Sequence, residues 1–367
     1  MRRGPRPLSV HIAMAASSWQ AGQTDEQTFS DNMQKMLLGI RQYQTHPELP
    51  KRPPTKIFWR DGEVVIRAPV KMPHDKDAPI MLLVPSMINR AHILDLLPGR
   101  SMLRWMNAQG IRAYLLDWGE PVKDNGMKDI NSVINKKMIP AIKFLAQHHA
   151  QSLHILGYCM GGTMAAGAAV IAPQFIKSTT FLASPWDFHA GSNALLNRIQ
   201  FWAPSAAPMI ETRGYLPVDW IQTVFASLDP LSTAQKFAQF SDMDGRSNDA
   251  KIFVAVEDWL NDGVDLPADI AREPILEWFI KNKPAKGQWK IGAKAIKAAH
   301  IKCLALIVTS KKDRLVEYDM AAALAREIKG AKIIDTGCGH IGMMAGKNAI
   351  EKVWKPIAKW IKAGQGV

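Results

Sequence analysis

The chain has 367 residues and a formal net charge of +13, with 47% hydrophobic and 22% charged residues, an ordinary globular composition. One α/β core needs roughly 250 residues, so a core plus one sizeable insertion is expected rather than two equal domains. Only three cysteines occur, Cys159, Cys303 and Cys338, which excludes a disulfide framework and indicates a reducing compartment, and the basic residues are scattered without a nucleic-acid-binding motif.

The N-terminus, Met1-Arg2-Arg3-Gly4-Pro5, is followed by no apolar signal core, since Ser17, Ser18, Gln20 and Gln23 interrupt it. A cytoplasmic protein is therefore expected. Residues 1–55 read as a mostly helical, polar extension ended by Pro47, Pro50, Pro53 and Pro54. The segment 57–66 reads as a hairpin, with Asp61-Gly62 supplying a positive-φ turn. From residue 80 short apolar runs alternate with helical stretches. The runs are Ile80–Val84, Ala113–Leu116, Leu153–Leu156 and Thr179–Ala183, with helices expected over 103–109, about 128–149 and 161–171. Runs apolar on both faces and separated by helices predict a mostly parallel sheet.

The stretch from Phe144 to Ile176 carries no Asp, Glu, Lys or Arg. Its histidines and the glycines at 157, 161 and 162 argue against a membrane span and for a strand, a tight turn and a small-residue helix. After Pro185 the rhythm stops, and it resumes near Cys303. Residues 186–300 are read as a cap inserted into a core made of 56–185 and 301–367. The core closes with Leu304–Val308, a helix at about 318–329, Lys332–Ile334 and an amphipathic helix over 347–362. That last helix carries Trp354 and Trp360 on an apolar face bordered by lysines. Two readings stand: a helix docked on the sheet, or one resting on a granule or anionic membrane surface.

The chemistry concentrates in Gly157-Tyr158-Cys159-Met160-Gly161. This has the form of a nucleophile elbow with Cys in place of Ser, preceded by a strand and followed by a small-residue helix, the context that motif requires. The helix N-terminus would direct amide donors at the sulfur and at a developing oxyanion. Such a nucleophile needs an acid and then a histidine later in the chain. Asp313 follows the strand at 304–308, and His340 sits in the Gly-flanked loop after the strand at 332–334. The oxyanion donors would be the backbone N–H of Met160 with one near Ser86 or Met87, in the loop after Val84. Cys303, Cys338 and the pair His148-His149 are given no chemical role, and no metal site is expected.

These features resemble the polyhydroxyalkanoate synthases, particularly the short class III catalytic subunits. The likeness rests on the box Gly157–Gly162, on Val84-Pro85-Ser86-Met87-Ile88-Asn89-Arg90 with Ile93–Leu96, on Leu116-Asp117-Trp118-Gly119 and on Gly339-His340-Ile341. It implies an α/β-hydrolase fold and an acyltransferase polymerising (R)-3-hydroxyacyl-CoA. Cys159 would carry the acyl chain and His340 would deprotonate it. Asp313 would assist, in part by helping to activate the incoming 3-hydroxyl. Coenzyme A would leave, and no cofactor would be needed. The partners implied are the growing polyester, a second synthase subunit or a homodimer, and a granule surface. Arg314 stands where many synthases have His, and Pro85-Ser86 replaces a Pro-Pro. A cysteine-type hydrolase, either a thioesterase or an intracellular polyester depolymerase, uses the same machinery and remains open, as does a non-catalytic granule-binding paralogue. The choice of Cys favours the synthase, because a thiolate exchanges readily with a thioester.

Overall fold

The computed structural model describes residues 2–48 and 51–364. Its centre is an eight-stranded sheet. In chain order the strands are β1 (Thr55–Asp61), β2 (Val64–Pro69), β3 (Ile80–Val84), β4 (Arg112–Asp117), β5 (Leu153–Tyr158), β6 (Ile176–Leu182), β7 (Leu304–Thr309) and β8 (Lys332–Asp335). Their spatial order is β1-β2-β4-β3-β5-β6-β7-β8. The first two strands run antiparallel to their neighbours, and β4 to β8 form a parallel block. Every residue of β3 and β5 is buried, as expected for strands covered by helices on both faces. The predicted hairpin is present, with Gly62 at φ +63° and Asp61 opposite Val64.

The helix expected over 128–149 begins with Asp129 accepting the Ser132 N–H, but residues Val133–Met138 are wound as a π-helix before Ile139–His149 continues as α. The same occurs at Glu273–Ile280 and at Ile350–Trp354. Pro140, Pro274 and Pro356 lie in or just after these three segments. For Pro140 and Pro356 the carbonyl four residues back, of Lys136 and Lys352, lies inside the π-segment, and a proline that has no N–H to give it and crowds it widens the turn, whereas Pro274 stands at the start of its segment.

Between β6 and β7 the chain leaves the sheet. It forms the helices Ala194–Arg213, Val218–Ala226, Ser232–Ser241, Asn248–Asn261 and Ala268–Arg272, with two short strand pairs. This cap is tied to the loop after β3. Asn89 Nδ2 donates to the carbonyls of Trp259 and Leu260 (3.3 Å each), Trp259 Nε1 donates to Arg90 O (2.7 Å), and Val264 N donates to Ile88 O (3.0 Å).

The N-terminal helices α1 (Leu8–Ala21) and α2 (Glu26–Thr45) pack on the cap and share a small core with it. Met36, Ile40 and Tyr43 meet Phe237, Phe240 and Val254 there. A Cβ on Gly39 would lie 1.8 Å from Phe237 O, so the two backbones touch where only glycine fits. Tyr43 OH and Arg2 Nε both donate to Asp258 Oδ1, at 2.8 and 2.7 Å.

The final helix decides between its two readings. Trp354 is 1% exposed, packs 6.0 Å from the Trp105 ring and donates to Met343 O at 3.1 Å, and Ile357 is fully buried. Trp354 and Ile357 therefore follow the docked reading, their side chains covered by the core and closed to a granule surface. Truncating Trp354 to alanine should lower unfolding free energy by about 3–5 kcal/mol, read by denaturant titration, because a large ring and a satisfied N–H are both lost.

Candidate active site

The last residue of β5, Tyr158, is followed at once by a sharp turn into the helix Met160–Ile171. Cys159 sits on that turn at φ +55°, ψ −127°. A residue with a Cβ rarely adopts this conformation, at a cost of about 1–3 kcal/mol, and such strain persists only where the surroundings enforce it. Here they do. Cys159 N donates to Leu182 O at 2.9 Å, and Gly162 N returns to Cys159 O at 2.9 Å. A Cβ on Gly157 would lie 2.3 Å from Gly162 Cα, one on Gly161 2.4 Å from Val84 O, and one on Gly162 1.7 Å from Ser184 Oγ. The glycines of the box thus let strand, helix and the β3 exit loop approach backbone to backbone, with the sulfur at the apex.

The structure brings Asp313 and His340 together from two loops 27 residues apart. His340 Nδ1 lies 2.8 Å from Asp313 Oδ2. Asp313 is buried, and its other oxygen accepts the N–H groups of Leu315 and Val316, both at 2.9 Å. The carboxylate is fully engaged and cannot swing away. Burial of His340 would by itself lower its pKa, but the Asp313 carboxylate, the negative charge of a Cys159 thiolate and hydrogen bonds to both outweigh it. The value is pushed up to about 10. The site therefore favours an imidazolium held between a carboxylate and a sulfur.

Cys159, His340 and Ser86 line one cavity of about 450 Å³, roofed by the cap residues Gln222, Phe225, Leu228, Trp259 and Leu260. Residues of the inserted segment between 222 and 260 thus face the sulfur across this cavity. Of the expected oxyanion donors, Met160 supplies the first amide of the elbow helix, where N–H groups have no partner within the helix. Ser86 is in the cavity wall, and its hydroxyl accepts from Ile88 N at 3.3 Å. Met87 is not a lining residue, and its side chain is buried in the core.

No sequence pattern singles out Tyr158 for a role of its own. Its ring stacks on His340 with centroids 5.1 Å apart and planes at 29°, and its hydroxyl donates to His340 O at 3.3 Å. Burial, with the nearby charges of Cys159 and Asp313, holds the phenol well above its usual pKa, so it stays a neutral donor. It orients the histidine. The available signal was its place beside the nucleophile, but nothing in the local sequence shows that His340, 182 residues away, lands on it.

The family model described as "alpha/beta hydrolase fold" matches residues 127–347, a span that holds Cys159, Asp313 and His340. The chain belongs to the α/β hydrolase fold family. Within it, the sequence is similar to the polyhydroxyalkanoate synthases. It is 28% identical over 285 residues to the poly(3-hydroxyalkanoate) polymerase subunit PhaC of Thiocystis violacea, covering 77% of this chain and 80% of that one. It is 24% identical over 315 residues to the PhaC subunit of Haloferax mediterranei, covering 84% of this chain and 63% of that one. Among solved structures, a monoacylglycerol lipase from Paleococcus ferrophilus superimposes with a TM-score of 0.50 at 13% identity, over 83% of this chain and all of that one. That likeness bears on the fold alone.

Proposed function

We propose that this chain is an acyltransferase that polymerises (R)-3-hydroxyacyl-CoA into polyhydroxyalkanoate through a Cys159 thioester. The observation that carries the reading is a cysteine, not a serine, held at φ +55° on the elbow and sharing a cavity with His340, which is hydrogen-bonded to Asp313 behind it. The similarity to chains named poly(3-hydroxyalkanoate) polymerase subunits supports a 3-hydroxyalkanoate polyester as the product.

In this mechanism His340 takes the thiol proton and the Cys159 thiolate attacks the thioester carbonyl. The oxyanion is met by the Met160 amide and by an amide of the Ser86–Met87 loop. The bond to the coenzyme A sulfur breaks, and His340 returns the proton to that leaving thiol. The 3-hydroxyl of a growing chain then gives its proton to His340, helped by Asp313, and attacks the Cys159 thioester. An ester forms and the cysteine is restored. Every proton moves between this chain's groups and the substrates, so the cycle calls for no metal or organic cofactor. Among the described residues, no helix is long and apolar enough to cross a membrane. Association with granules would follow from the polyester itself, and a second subunit or a second copy is the proposed protein partner.

The test is incubation with 3-hydroxybutyryl-CoA while free thiol and insoluble polyester are followed together. Thiol and polymer rising together is the expected result. Thiol without polymer would make the protein a hydrolase, and neither product would leave only a binding role.

A further inference from the structure

The loop after β7 does more than carry Asp313. It also carries Lys311, Lys312 and Arg314, which put three positive charges next to Asp313 in sequence and at the surface of the site. Lys312 and Arg314 line the 450 Å³ cavity that holds Cys159. Lys311 and Arg314 line an adjoining cleft of about 680 Å³, which shares Leu228 with that cavity. Arg314 therefore stands on the boundary between the two. Its side chain is 80% exposed and reaches across to Asp229 of the cap, with which it forms a close ion pair. Asp229 also faces the catalytic cavity. The cleft contains acids as well. Glu317 is taken up by Ser192, whose N–H and hydroxyl both donate to it at 2.8 and 2.6 Å, while Asp319 lies farther along.

We infer that Arg314, with Lys312 beside it, receives the phosphate groups of the acyl-CoA thioester, and that Asp229 occupies the guanidinium until the phosphates displace it. The inference rests on the acyl-transfer reading above and identifies where that substrate's charged end is held. The thiol-bearing arm is slender and uncharged, so it can run through the covered cavity to Cys159. The phosphates are costly to desolvate and stay at the rim. A guanidinium offers paired donors that fit a phosphate as well as a carboxylate, and an exposed ion pair holds it only weakly, so exchange is easy. The pair also links the cap to the residue following Asp313. Arrival of the coenzyme thus breaks one contact between cap and core.

The experiment compares kcat/KM for two substrates, the 3-hydroxybutyryl thioesters of coenzyme A and of pantetheine, which lacks the phosphates carried beyond the arm. The readout is the ratio of the two values. In Arg314→Gln this ratio should fall about tenfold, the effect of losing a charge-assisted contact to phosphate. Arg314→Lys should recover part of the loss, because the charge remains without the fork. Asp229→Asn should raise the ratio, since the competitor is gone. Added salt should lower the ratio in the parent more than in Arg314→Gln. A ratio in Arg314→Gln within about twofold of the parent's overturns the inference, even if both substrates slow, because an equal loss on both is what disturbance of the neighbouring Asp313 would give. Failure of the parent to release thiol from either ester would instead sink the acyl-transfer reading itself.

Discussion

Replacing Cys159 by alanine will abolish thiol release from 3-hydroxybutyryl-CoA, with a loss on the order of 10⁶-fold in kcat, as found when a nucleophile is removed from a triad that acts as a unit. The fold will stand, because alanine keeps the Cβ that already fits the turn and removes only the sulfur. Serine will also be severely impaired. Its hydroxyl stays protonated at neutral pH, so no anionic nucleophile stands ready beside His340 to exchange with the thioester. Glycine separates strain from chemistry. At φ +55°, ψ −127° a residue without Cβ is relaxed, so Cys159→Gly should be as inactive as alanine yet more stable by about 1 kcal/mol, after the entropy of the unfolded glycine is subtracted. Denaturant melts of the alanine and glycine variants, side by side, read this difference. Substantial turnover by the alanine variant would remove Cys159 from the mechanism and with it the assignment of the elbow.

Much of this site could be read in the sequence because its parts are local. A strand apolar on both faces, a glycine-rich turn and a small-residue helix follow one another within residues 153–171, and each element dictates the next. Asp313 and His340 follow from the rule that open parallel sheets gather function beyond their strand ends. What escaped was contact between distant segments. Tyr158 under His340, Arg314 on Asp229 and Tyr43 on Asp258 each join residues 85 to 215 positions apart, and no periodicity encodes such pairs. The π-helical stretches were legible in principle, since each adjoins a proline, but a 3.6-residue pattern gives no sign of a widened turn. Trp354 shows the remaining ambiguity. An apolar stripe edged with lysines describes both a docked helix and a surface-bound one, and only the presence of Trp105 and Met343 against it separates them.

Asp313→Asn is the variant in which geometry is kept and chemistry is lost. An asparagine can still accept the Leu315 and Val316 amides through its oxygen, so the loop keeps its shape. Its amide then faces His340 Nδ1 as a donor. That forces the proton of a neutral imidazole onto Nε2, the nitrogen that must accept the thiol proton. A wrong tautomer of this kind costs about 10⁴-fold in kcat. The same change removes the largest influence raising the His340 pKa. Burial, which lowers it, is then opposed by Cys159 alone, and the value falls from about 10. The consequence for stability has a definite sign. A histidine whose folded pKa exceeds its unfolded value of 6.5 stabilises the fold fully below pH 6.5 and loses that contribution as pH rises through about 10. The stability gap between parent and Asp313→Asn should therefore be widest near pH 6 and narrow toward pH 10. Thermal melts across that range test it, and chemical-shift titration of His340 gives the pKa directly. A gap that stays constant with pH, or a His340 that titrates alike in both proteins, would show that Asp313 does not hold the imidazolium and is only a turn residue.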